Sequence, residues 1–156
     1  MPSFTLTGKD ILALGPFLSP LTIINDFGDG DNGELTYPNE LSFVKTGKGG
    51  NSIYSVNASG LQSRLMLRIL RGSATHKRLL AIQAAYLANP PGFILLACQF
   101  TKLLGDGAGN TISNTIRLSG GVPDKLPDTV SNVEGNTDQA LGMFSYKFTG
   151  SVEVLQ

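Results

Sequence analysis

The chain has 156 residues and a mass of 16.5 kDa, with 41% hydrophobic and 15% charged residues and no net charge at pH 7. That profile reads as one globular domain over residues 1–156, large enough to bury a core, and excludes a disordered or strongly polyanion-binding chain. A single cysteine, Cys98, excludes an internal disulfide and a multi-cysteine metal site, and no apolar run reaches bilayer length.

MPSFTLTGKD lacks a positive start followed by an apolar block, so a soluble chain made intracellularly, without a signal peptide, is expected. SFTLTG and LTIINDF (Leu21–Phe27) read as strands, being β-branched and aromatic with partial alternation. Between them LGPFLSP is broken by Pro16 and Pro20 and reads as a bend or irregular edge. GDGDNG (Gly28–Gly33) is a turn or loop tip. LSFVKTGKGG gives a short strand and a flexible Gly/Lys turn, and SIYSVNASG sets Ile53 and Ser55 against Tyr54 and Val56 as a strand would. In GLQSRLMLRILRG, Leu65, Leu67 and Ile69 fall on one face, and Arg64, Met66, Arg68 and Leu70 on the other. Leu61, Leu65 and Arg68 would also share a helix face, but Gly60 and Gly72 bound the run and the alternation favours a strand.

The spacing predicts one α-helix over about residues 75–89. Ser73 or Thr75 can cap it, and Leu79, Ile82 and Tyr86 form an apolar stripe that Leu80 and Leu87 widen, with Lys77 and Arg78 facing outward. Asn89-Pro90-Pro91-Gly92 ends it. GFILLACQF follows as an apolar strand burying Cys98, then a turn LGDGAGN and an alternating strand TISNTIRLSG. VPDKLPDTVSNVEGNTDQALG reads mostly as loop, and MFSYKFTGSVEVLQ as two strands hinged at Gly150. The fold class is mainly β: an antiparallel β-sandwich or barrel with one flanking helix.

Chemistry is sparse. His76 has no sequence partner and reads as a solvated or cap residue; no nucleophile elbow appears, and no carboxylate pair stands out. Asp29-Gly30-Asp31-Asn32-Gly33-Glu34 begins like a calcium loop, but the sixth residue is Glu34 rather than glycine and the flanks read as strands, so a structural loop is the preferred reading. GDGAGN opens no helix and carries no P-loop lysine. The expectation is a chain with no catalytic residue, no metal and no cofactor. Charge is segregated along the sequence: acids outnumber bases before Arg64 and after Arg117, whereas the stretch between them holds Asp106 as its only acid. Such segregation suits contact between copies, with acidic surface on one meeting basic surface on the next, although folding can also mix these segments in space. The interface candidates are Asp29, Asp31, Glu34, Lys45, Lys48, Arg64, Arg68 and Arg71.

The order of parts resembles the tail tube proteins of long-tailed bacteriophages. The likeness rests on a glycine-containing turn, the small-residue segment SVNASG, Arg68-Ile69-Leu70-Arg71-Gly72-Ser73, and a helix opening with Leu79-Leu80. Asn-Pro-Pro-Gly after the helix and the long polar segment from Gly120 to Gly142 depart from that pattern. The resemblance implies a sandwich with one helix whose copies form hexameric rings, stacked into a hollow tube through which DNA passes without specific binding. It further implies contacts with other tail proteins (a sheath if the tail contracts, a tape measure, a terminator, a baseplate), a place in the virion tail, and assembly in the bacterial host cytoplasm. Loops such as Gly28–Gly33 and Thr46–Gly50 would order on an adjacent ring. The alternatives are a carbohydrate-binding-like β-sandwich module, for which the chain offers no tryptophan platform, or another tail part such as a terminator or baseplate subunit.

Overall fold

The alternation in SRLMLRIL organises the first layer of the fold. The computed structural model of the chain describes residues 5–16, 22–24, 33–127 and 141–155. Its strands are β1 (Thr5–Pro16), β2 (Thr22–Ile24), β3 (Gly33–Thr36), β4 (Ser42–Thr46), β5 (Ser52–Val56), β6 (Ser63–Leu70), β7 (Leu96–Gly105), β8 (Thr111–Lys125), β9 (Leu141–Phe148) and β10 (Gly150–Leu155), with one helix, α1 (Ala74–Ala88). In β6, Leu65, Leu67 and Ile69 are buried on one face, because successive strand side chains point to opposite sides. Antiparallel pairing extends this into rows: Leu35–Leu65–Tyr146 and Gly33–Leu67–Phe144 run across β3, β6 and β9.

The second layer has the order β2-β1-β7-β8, with β10 on the far side of β8. Its inward rows are Leu14–Cys98–Leu118 and Leu12–Phe100–Ile116. The two sets of rows meet in one core, and burying each such aliphatic side chain is worth about 1.5–3 kcal/mol. The result is an antiparallel sandwich rather than a closed barrel.

β8 belongs to both layers. Residues 111–121 pair with β7, while Val122–Lys125 pair with β9. The crossing falls at Gly120 and Gly121, where the β7–β8 register shifts between Leu96 and Cys98. Strands that change sheets do so at bends and bulges. Gly120 takes φ +68, a left-handed value suited to glycine, and a Cβ on Gly121 would collide with the Phe148 ring and crowd Leu96. Gly121→Ala should therefore cost about 1–3 kcal/mol through overpacking. That corresponds to a fall in Tm of roughly 2–12 °C, readable by calorimetry.

α1 starts where Ser73 caps it: the Ser73 hydroxyl accepts from His76 N at 3.1 Å and donates to the Leu70 carbonyl at 2.8 Å. Leu79 is 1% exposed and joins the core, with Ile82 packed beside it. Tyr86 sets its ring edge-on to Phe93 at 5.2 Å. The buried line is Thr75, Leu79 and Gln83, so the stripe does not extend to Leu80 or Leu87, which are exposed. Lys77 and Arg78 face outward as expected.

Several boundaries differ from the sequence expectation. β1 continues through Leu14–Pro16, where a bend was expected. β3 was not foreseen; it starts at Gly33, the last residue of the expected turn. Phe93–Leu95 precede β7 as irregular chain rather than strand. The expected loop beginning at Val122 is still strand through Lys125, including Pro123 beside a bulge.

Candidate assembly surfaces

The most unusual surface is the β4–β5 hairpin. SFVKT and SIYSV pair with Val44 opposite Tyr54 and Lys45 opposite Ile53, forming a ribbon that joins neither layer. Its turn is closed by Gly47 N donating to the Asn51 carbonyl at 2.8 Å and Gly50 N donating to the Gly47 carbonyl at 3.0 Å, with Gly50 at φ +88. Thr46–Gly50 is thus an ordered turn within the single chain.

Residues opposite one another share a face, so one side of the ribbon carries Val44, Tyr54 and Val56 and the other carries Phe43 and Ile53. Neither side is covered: Ile53 is 76% exposed, Tyr54 74% and Val56 88%. A lone two-stranded ribbon is marginal in water, and contiguous exposed apolar surface of this kind marks an interaction site. The base of the ribbon is tied down. Asn57 N donates to the Leu41 carbonyl at 2.8 Å and Asn57 Nδ2 to the Glu40 carbonyl at 2.7 Å. Asn57 Oδ1 accepts from the Ser59 hydroxyl at 2.8 Å, and Asn39 Nδ2 donates to Gln62 Oε1 at 3.2 Å. The apolar arm is therefore aimed by a polar root.

A second surface is the outward face of the β3–β6–β9 sheet. The register sets Glu34 beside Met66 and Arg64 beside Lys147, so three of the candidates, Glu34, Arg64 and Arg68, share one face. Arg64 is committed within the chain: its Nε lies 2.9 Å from Asp124 Oδ2, and Lys147 Nζ lies 3.0 Å from Asp124 Oδ1. Asp124, with a side chain 10% exposed, thus gathers two cations. Asp124→Asn would leave those cations adjacent and unbridged, at a cost of about 1 kcal/mol. Denaturant midpoints in dilute buffer and in 1 M salt check this, because the deficit should shrink where screening acts over about 3 Å.

The other candidates are dispersed. Lys45 and Lys48 sit on the hairpin and its turn, and Arg71 on the turn between β6 and α1. Asp29 and Asp31 lie outside the described residues, so the calcium-loop reading is not addressed. His76 is a turn residue, its Nδ1 accepting from Gly72 N at 2.9 Å and its ring meeting Phe144 edge-on at 5.7 Å. Asp106 organises the β7–β8 turn: its Oδ1 accepts from Ala108 N at 2.7 Å and Asn110 N at 3.0 Å, and its Oδ2 from Asn110 Nδ2 at 2.9 Å. These bonds, that to Ala108 first, hold its pKa below the usual carboxylate value. Among the described residues no group of three His, Cys, Asp or Glu side chains is placed to hold a metal ion, and no helix is long and apolar enough to cross a bilayer.

Beside the C-terminal half of α1 runs an apolar groove of about 270 Å³, lined by Ile82, Ala85, Asn89, Phe93, Ile94 and Leu96. Ile94 in its wall and the adjacent Leu95 are largely exposed. Sequence reasoning missed both this groove and the exposure of the hairpin.

No known family model and no curated protein matches the chain. Among solved structures, it is similar in fold to a chain in the cryo-EM structure of the anti-feeding prophage (AFP) baseplate, 6-fold symmetrised. The TM-score is 0.59 at 11% sequence identity, and the match covers 96% of this chain and 95% of that one.

Proposed function

We propose that the chain is a structural subunit of a phage tail or a related injection device, and that its copies form six-membered rings stacked into a hollow tube for DNA. The observation that carries this is the uncovered β4–β5 hairpin. An apolar arm on an ordered root contributes little to its own chain but can bury its surface against another copy. Support also comes from β3 and β10, which pair on one side only among the described residues and can extend a sheet between copies. The fold likeness to a chain of a six-fold baseplate assembly favours ring symmetry.

Within such a ring the Arg64, Arg68 and Lys147 face is directed at neighbouring protein, because a cationic channel wall would retain the DNA that must slide past it. The helix then lies away from the channel. Sheath, tape measure, terminator and baseplate proteins are the further partners of a tube subunit. The same likeness favours a second reading, a baseplate ring subunit that does not stack. Negative-stain electron microscopy of concentrated full-length protein separates the two. Six-fold annuli joined into tubes are expected; annuli that never stack would favour the baseplate reading, and uniform monomers would refute both.

A further inference from the structure

We infer that the receptor for the β4–β5 hairpin is the apolar groove between α1 and Phe93–Leu96 of the neighbouring copy; this rests on the self-assembly reading above. The hairpin carries no acidic residue, its large side chains are apolar or aromatic, and its only cations are Lys45 in β4 and Lys48 in the turn. A receptor must therefore be apolar, must admit an aromatic side chain and must not set cations against those lysines.

Five cavities among the described residues can be compared on these criteria. One of about 320 Å³ is walled by Arg64 and Lys147, and a neighbouring one of about 140 Å³ by Arg64, Lys125 and Asp124. Covering either with the apolar ribbon would desolvate the ion pairs that Arg64 and Lys147 make with Asp124, which disfavours seating it there. A third, on the other flank of α1, again presents Lys125, together with Asp124. The gap beside Glu34 and Leu35 is only about 80 Å³, too small for Tyr54 or Phe43. The α1 groove has no ionisable residue in its wall and a volume of about 270 Å³. Ile94 in its wall and the adjacent Leu95 are exposed apolar surface that no described residue covers. Hairpin and groove are different patches on one chain, so their contact is head-to-tail and closes into a ring when its rotation permits. In this arrangement Phe43 fills the groove with Ile53 beside it on the same face, while Lys45 reaches out to the wet margin and Lys48 stays in the turn.

Cross-linking tests the pairing. Ser55→Cys on the hairpin and Ala85→Cys in the groove replace small exposed residues. The two variants are mixed and treated with a short bis-maleimide. Cys98 stays silent, because burial pushes its thiol up to about 12. Cross-linked dimer should form on the order of a thousandfold faster than for Ser55→Cys mixed with Arg68→Cys, since seating raises the effective thiol concentration from about micromolar to about millimolar. Light scattering on the unmodified protein runs in parallel. Assembly without the 55–85 cross-link, or with the 55–68 cross-link in its place, overturns the receptor and leaves the assembly reading standing. Monomeric protein at all concentrations removes both.

Discussion

Leu79→Asp should yield no soluble folded protein, and Leu79→Ala should lose about 2–5 kcal/mol of stability. Leu79 is the one α1 side chain in the core cluster, 1% exposed. Truncation leaves a cavity under the helix, and a carboxylate there would be buried without a partner. Net stabilities of small domains are about 5–15 kcal/mol, so the aspartate variant exhausts most or all of the margin. The effect should fall steeply along the helix. Ile82→Ala should cost less, because Ile82 is only partly buried, and Leu80→Ala should stay within about 0.5 kcal/mol, as for an ordinary surface change. Urea unfolding followed by circular dichroism provides the comparison. A Leu79→Asp protein with an unchanged midpoint would mean the helix does not close the core.

Ile53→Asp should do the opposite, leaving the monomer intact and dispersing the assembly. Ile53 is 76% exposed and lies in a ribbon outside both layers, so monomer unfolding should shift by no more than about 0.5 kcal/mol. At an interface, a buried anchor costs about 2 kcal/mol or more when removed, roughly thirtyfold in affinity per contact. A ring repeats that loss at every junction, so the assembly threshold should rise by more than the single-contact factor. Size-exclusion profiles at matched concentrations read this directly. An Ile53→Asp protein that assembles like wild type would show that the hairpin is not the arm.

The contrast between these two variants explains what the sequence could disclose. Strand β6 was legible because Leu65, Leu67 and Ile69 alternate with polar or less buried residues, and that alternation became the core face. Helix α1 was legible from the Ser73 cap and the Asn89-Pro90-Pro91-Gly92 stop; its stripe was overdrawn because composition favours Leu80 and Leu87, whereas packing buries Thr75 and Gln83. Pro123 concealed the end of β8, since proline removes a ladder donor and is tolerated there beside a bulge. The turn signal in GDGDNG masked the start of β3 at Gly33.

The candidate surfaces were less legible for a physical reason. The alternation in SIYSV predicts a strand but does not say whether either face meets a core, and here both face solvent. Register, which no local pattern reveals, brought Glu34 to the face where alternation along β6 already set Arg64 and Arg68. The partner of Arg64, Asp124, lies in a segment read as loop, so an arginine marked for contact between copies is paired within its own chain.

Sedimentation velocity of the full-length protein across a wide concentration range tests self-assembly most directly. The wild-type chain should shift from monomer to a discrete ring species and then to heavier stacked forms, with the Ile53→Asp variant remaining at the monomer position throughout. A single monomer boundary for the wild-type chain at every concentration would contradict self-assembly.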